Sequence, residues 1–173
     1  MKESNNEHFQ GWRTPRRIFD QIALAYGPFQ IDAFADEDNA LCAKFFTEEQ
    51  DGIMQPWTAK NVWANPPYKA RFMDEVIQKA LTEVHTAKRC ERVAILCQAS
   101  VSTKWFHTAL SAAHMELFEG RIQFERASHQ KGLQKDNSRI SNALVIVDRS
   151  GKRGVTGTRC AKTGFLLESF NKA

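Results

Sequence analysis

Residues 61–84 read Asn61-Val62-Trp63-Ala64-Asn65-Pro66-Pro67-Tyr68-Lys69-Ala70-Arg71-Phe72-Met73-Asp74-Glu75-Val76-Ile77-Gln78-Lys79-Ala80-Leu81-Thr82-Glu83-Val84. The first five form a strand-sized run that Pro66-Pro67 closes abruptly, because neither proline can donate to a ladder. From Lys69 onward Phe72, Met73, Val76, Ile77, Ala80, Leu81 and Val84 recur at helical spacing on one face. A strand that passes through a rigid turn into an amphipathic helix is the first half of a crossover unit.

Upstream, Thr14-Pro15 opens a helix, with proline in the first turn where a missing N–H costs nothing. Ile18, Phe19, Ile22 and Leu24 supply its apolar stripe, and Gly27-Pro28 ends it. Phe29-Gln30-Ile31-Asp32-Ala33-Phe34 alternates as a short strand carrying Asp32 at its end, and Asp36 to Phe46 reads as a second, short helix. Downstream, Arg92 to Cys97 is a continuous apolar strand of the kind buried on both faces. Ser102 to Ala112 reads as a further helix, Met115 to Phe118 as a strand and Asn142 to Val147 as one more buried strand. This alternation predicts an α/β fold, with a mostly parallel sheet and helices on both faces. Ligands of such sheets bind beyond the carboxyl ends of the strands, which gathers Asp32 and Asn65-Pro66-Pro67-Tyr68 on one rim.

The 173 residues suit a single domain spanning 1–173, and a composition 42% hydrophobic and 25% charged is that of a globular protein with a core. No apolar run approaches the roughly 18 residues of a membrane helix, so no membrane association is expected. Met1-Lys2-Glu3-Ser4-Asn5-Asn6-Glu7-His8 is polar with no apolar segment after it, which fits a cytoplasmic protein. Cys42, Cys90, Cys97 and Cys160 include no Cys-x-x-Cys pair, so reduced, mostly buried thiols are expected and neither a metal site nor a disulfide framework. His85 and His114 read as structural residues, and Trp105-Phe106-His107 as helix packing.

Lysine and arginine exceed aspartate and glutamate by 24 to 20, but their distribution is more informative than the sum. Between Asp32 and Asp51 seven acids, Asp32, Asp36, Glu37, Asp38, Glu48, Glu49 and Asp51, stand against Lys44. Between Arg121 and Arg139 the bases Arg121, Arg126, Lys131, Lys135 and Arg139 outnumber Glu125 and Asp136. This suits a protein that holds a cationic small ligand in one place and phosphates in another. Counts alone, however, favour plain solvated surface.

Asn65-Pro66-Pro67-Tyr68 has a chemistry of its own. Two prolines hold the backbone extended, so the Asn65 side-chain oxygen and the Pro66 carbonyl can point the same way as a fixed pair of acceptors. Such a pair takes both hydrogens of an amino group, aims the nitrogen lone pair at an electrophile and stabilises the charge that nitrogen gains on attack. Tyr68 adds a flat face for a planar base. In isolation Pro-Pro-Tyr also occurs in surface turns and proline-rich ligand segments.

Asn-Pro-Pro-Tyr after a strand is the signature of amino-group methyltransferases, and its neighbours resemble the phage-type DNA N6-adenine methyltransferase family. Trp12-Arg13-Thr14-Pro15 with Ile18-Phe19-Asp20 is similar to that family's opening element. Ile31-Asp32-Ala33-Phe34-Ala35, Asn39-Ala40 and Cys42-Ala43-Lys44-Phe45-Phe46-Thr47 match a second region, and Asp51-Gly52 and Pro56-Trp57 precede the signature. Trp105-Phe106-His107, Glu119-Gly120-Arg121-Ile122-Gln123-Phe124 and Asn142-Ala143-Leu144-Val145-Ile146-Val147 are similar to later elements. The likeness covers about residues 9 to 148 and is specific as an ordered set.

The resemblance implies a Rossmann-like fold that uses S-adenosylmethionine, in a phage-infected or prophage-carrying bacterial cell. Trp12, Thr14 and Pro15 would lie near the methionine end of the cofactor, Asp32 and Phe34 in the strand-end loop that approaches it, and Asp51 on its adenosine side. Asn65, Pro66, Pro67 and Tyr68 would form the catalytic element that holds the target adenine, flipped out of duplex DNA. Transfer would be direct and in line, without metal or covalent enzyme intermediate. Two features depart from the family pattern. The loop Asp32 to Asp36 has no glycine to admit a cofactor closely, and the short interval from Asp32 to Asn65 leaves one strand reduced or moved.

Residues 126–141 read as a long basic loop whose Arg, Lys, His, Gln and Asn side chains suit phosphates and base edges. Residues 149–173 read as a basic C-terminal extension. The acceptor pair would serve cytosine N4, an RNA adenine or a glutamine amide equally, and the glycine-free loop also fits a non-catalytic module that binds nucleic acid or a partner protein.

Overall fold

The computed structural model describes residues 12–126 and 140–170. Helix α1 (Arg16–Tyr26) begins at Pro15, whose carbonyl accepts the Ile18 and Phe19 N–H groups at 2.9 and 3.2 Å. Ile18, Phe19 and Ile22 are buried along it, but Leu24 is 80% exposed. Six residues from Ile18 it lies roughly 240° around the helix, off the buried stripe. Helix α2 (Ala70–Leu81) buries Met73, Val76, Ile77 and Ala80 as the spacing predicts, and continues into a π-helical turn at Thr82–Thr86. Helix α3 (Lys104–Ala112) buries Trp105, Phe106 and Ala109.

A two-stranded ribbon pairs β1 (Trp12–Arg13) with β7 (Glu125–Arg126) in antiparallel fashion. The main sheet has eight strands: β2 (Ile31–Asp32), β3 (Lys44–Phe45), β4 (Asn61–Ala64), β5 (Arg92–Gln98), β6 (His114–Glu119), β8 (Asn142–Asp148), β9 (Gly154–Cys160) and β10 (Leu166–Ser169). Their spatial order is β10-β9-β6-β8-β5-β4-β2-β3. The β3–β2, β2–β4, β4–β5 and β6–β9 pairs are parallel, whereas β5–β8, β8–β6 and β9–β10 are antiparallel.

The sheet is therefore mixed, which corrects the expectation of a mostly parallel one. Strand β8 enters between β5 and β6 and runs against both. Val93 to Cys97 and Ala143 to Val147 are both apolar throughout, and such runs carry no mark of direction. Alternate residues divide them between two cores. Val93, Ile95, Val145 and Val147 join α2 and α3 on one face; Ala94, Leu96, Leu144 and Ile146 join α1 on the other. Helices cover both faces, as expected.

Two further expectations need correction. Asp36 to Phe46 is a looped segment ending in β3, because Asp36 and Asn39 bond to the backbone of their own loop. Asp36 accepts the Asp38 N–H at 2.9 Å, and Asn39 accepts the Asp36 N–H at 3.0 Å. The strand read at 29–34 shortens to Ile31–Asp32. Within the stretch read as a basic C-terminal extension, Gly154–Cys160 and Leu166–Ser169 form β9 and β10 and extend the sheet. Arg159 of β9 is buried in an ion pair with Glu116, which also accepts the Tyr26 hydroxyl at 2.6 Å.

Candidate active site

The registers place four strand ends on one rim: Asp32 pairs with Trp63, Ala64 with Ile95 and Gln98 with Asn142. Because β8 runs antiparallel, its first residue stands where its neighbours end. A pocket of about 490 Å³ opens at this rim. Thr14, Asp32, Phe34, Asp51, Asn65, Pro66, Pro67 and Tyr68 all line it, so segments distant in sequence converge as expected. Pro15 is buried at the head of α1 and is not part of the lining. The Trp12 backbone pairs with Arg126 in the ribbon; the side chains of both, and Lys131, Lys135 and Arg139 entirely, lie outside the described residues. Arg121 is exposed outside the lining.

Asp32, 3% exposed, accepts the Leu41 N–H at 3.1 Å and the Phe34 N–H at 3.5 Å. One carboxylate thus holds the turn after β2 against the return of the chain toward β3. Burial pushes its pKa up to about 7, against the lowering effect of those two N–H groups, with Asp36 adding a small rise. Asp36, Glu48 and Asp51 line the same pocket, so four of the seven early acids are gathered there. Phe34 packs edge-on against Phe72 and Trp57, with centroids 5.5 and 6.0 Å away, and forms an aromatic wall.

The glycine absent from the loop after β2 is supplied from elsewhere. Gly52 lies against that loop so closely that a Cβ on it would fall 2.0 Å from the Ala33 carbonyl oxygen. The buried Trp57 indole N–H donates to the Gly52 carbonyl at 2.8 Å and pins the segment there. Asp51 has a positive φ of 51°, and its carboxylate accepts the Ile53 N–H at 3.1 Å to close the turn. Asp51-Gly52 was the only sequence mark of this approach.

Asn65 and Tyr68 form the other side. The Tyr68 hydroxyl donates to Asn65 Oδ1 at 3.2 Å, and its ring meets Phe124 edge-on at 6.4 Å. Burial pushes the Tyr68 phenol well above its ordinary range; Cys97 nearby adds to the rise, and the Asn142 side-chain amide opposes it. Sequence reasoning missed Arg13, Trp63, Lys69 and Phe124 in the lining. Arg13 Nε, Thr14 Oγ1 and Trp63 Nε1 are buried without hydrogen-bond partners among the described residues. Their donors provide capacity for acceptor atoms of a polar ligand.

The family model described as DNA N-6-adenine-methyltransferase (Dam) matches residues 2–163. The chain belongs to that family. A DNA N-6-adenine-methyltransferase of Escherichia phage T1 is 33% identical over 162 residues, which is 93% of this chain and 63% of the relative. The chain thus spans a little under two thirds of that protein's length. A DNA N-6-adenine-methyltransferase of Haemophilus phage HP1 is 24% identical over 146 residues, covering 83% of this chain and 81% of the relative.

Membership in the DNA N-6-adenine-methyltransferase family implies a methyl donor. No group of three or more His, Cys, Asp or Glu among the described residues is placed to hold a metal ion. No helix among them is long and apolar enough to cross a membrane.

Proposed function

We propose that the chain is a single methyltransferase domain that transfers the methyl group of S-adenosylmethionine to N6 of an adenine in double-stranded DNA. The observation that carries this reading is Asn65-Pro66-Pro67-Tyr68 lining one pocket with Asp32 and Phe34, in a chain of the DNA N-6-adenine-methyltransferase family. The pocket residues fit the cofactor. Its positive charge suits Asp32, Asp36, Glu48 and Asp51, and its adenine suits the wall of Phe34 and Phe72. Its carboxylate and hydroxyl oxygens suit the unpartnered donors of Arg13 and Thr14. Bound there, S-adenosylmethionine supplies a methyl group on a positively charged sulfur.

The protein's part is to present the acceptor. Asn65 Oδ1 and the Pro66 carbonyl take the two N6 hydrogens, so the nitrogen lone pair faces the methyl group and its growing charge is stabilised. Tyr68 supplies a ring face for the adenine. That base reaches the pocket only after leaving the helix stack. Lys69 at the pocket, Arg121 and the basic residues Arg126, Lys131, Lys135 and Arg139 supply phosphate contacts.

Labelled methyl transfer to unmethylated duplex DNA, followed by nucleoside analysis, tests this reading. The label is expected as N6-methyladenine. Label in N4-methylcytosine, or transfer confined to RNA or protein, contradicts it.

A further inference from the structure

Resting on that reading and deepening it, we propose that the Trp63 indole N–H, together with the Thr14 hydroxyl, binds the carboxylate at the amino-acid end of the methyl donor and so selects ligands that carry it. Among the described residues, five buried side-chain polar atoms have no hydrogen-bond partner. Three of them, Arg13 Nε, Thr14 Oγ1 and Trp63 Nε1, belong to residues that line the pocket beside Asn65. A donor shut away from water and left unmet costs free energy, so three on one cavity point to an acceptor that arrives with a ligand. Indole and guanidinium N–H groups can only donate, and a hydroxyl donates as readily as it accepts. The ligand group that answers all three has several lone pairs and no proton of its own, which describes a carboxylate.

The fold gathers these donors on one side of the strand ends. Trp63 pairs with Asp32 in the parallel register of β2 and β4, so the two side chains leave the same face of the sheet. That face is the one α1 covers, where Trp63 meets the rings of Phe19 and Phe29 at 5.3 and 5.7 Å between centroids. Thr14 directly precedes Pro15 at the head of the same helix. Arg13 donates from Nη1 to the Asp38 carbonyl at 3.0 Å, which leaves its Nε for another acceptor. Phe34 and Phe72 pack instead against the core on the α2 face. The pocket thus presents proton donors and Asp32 on one side and an aromatic wall on the other. A ligand with a planar base at one end and a carboxylate beside an ammonium at the other matches that division. Phe19 and Phe29 pack Trp63 without meeting its N–H, since a ring face is only a weak acceptor.

Calorimetric titration of the full chain with two ligands tests this. S-adenosylhomocysteine has the carboxylate but no methyl group to transfer, and its decarboxylated analogue keeps the nucleoside, the sulfur and the ammonium. Trp63→Phe retains an aromatic ring and removes the N–H. It is expected to weaken S-adenosylhomocysteine binding about tenfold, the equivalent of about 1.4 kcal/mol, because hydrogen bonds to an ionised acceptor are the strong ones. The affinity for the decarboxylated analogue should change by less than about twofold. Thr14→Val, which keeps the side-chain shape and removes the hydroxyl, should show the same dependence on the carboxylate and serves if Trp63→Phe does not fold. An unchanged affinity for S-adenosylhomocysteine in either folded variant overturns the proposal. So does an equal loss for both ligands, the result of a side chain that only packs, and so does an unaltered protein that holds both ligands equally. An unaltered protein that binds neither S-adenosylmethionine nor S-adenosylhomocysteine overturns instead the function on which the proposal rests.

Discussion

Asp32 links the fold of the site to its electrostatics. Its carboxyl, raised by burial from 3.8 to about 7, is neutral in the form that folding favours. The stability it contributes is full below its unfolded pKa and is lost as pH rises through about 7. Thermal unfolding of the free protein should therefore show a decline in Tm between about pH 4 and about pH 8 that Asp32→Asn reduces. A cationic ligand beside it favours the carboxylate, so binding S-adenosylmethionine near pH 6 should release protons, detectable by calorimetry in buffers of different ionisation enthalpy. Asp32 and Asn65 were both legible in the sequence, because each ends an apolar run and the carboxyl ends of strands face a common crevice. The direction of β8 was not legible, since an apolar run conceals direction.

At the scale of elements, helix α2 was the clearest in the sequence, and its buried residues Met73, Val76, Ile77 and Ala80 fall on the expected stripe. The segment from Asp36 to Phe46 was misread because helical spacing of apolar residues says nothing about Asp and Asn side chains that bond to their own backbone. Strand β9 was hidden for another reason: Gly154 to Cys160 is rich in polar and small residues, and its one large charged side chain, Arg159, is buried by pairing with Glu116. The turn at Asp51-Gly52 carries a prediction of its own. A Cβ at Gly52 overlaps the Ala33 carbonyl, so Gly52→Ala must push the turn away from the loop after β2. Denaturant unfolding should show a loss of about 1–3 kcal/mol. Titration with S-adenosylmethionine should show weaker binding in the same variant.

Along the chain, charge is divided between the acids that line the pocket, Asp32, Asp36, Glu48 and Asp51, and a stretch between Arg121 and Arg139 in which bases predominate. DNA binding should weaken steeply with added salt, because phosphate contacts release counterions, while binding of the small cofactor, which displaces no such counterion layer, should change far less. Away from the pocket, Glu116 and Arg159 join β6 to β9 within the sheet and Tyr26 ties α1 to the same pair. Glu116→Gln leaves Arg159 buried with its charge unpaired, and chemical denaturation should show a loss of about 3–5 kcal/mol. The α/β class and the helices on both faces were legible from alternating elements, whereas the reversal at β8 and the two added strands required tertiary placement. The central claim is that Asn65 presents an adenine amino group to the methyl donor, and the direct measurement is the single-turnover rate of Asn65→Ala with duplex DNA. A fall of about 10²-fold or more, with cofactor affinity and Tm little changed, is the predicted result; a rate equal to that of the unaltered protein would contradict the account.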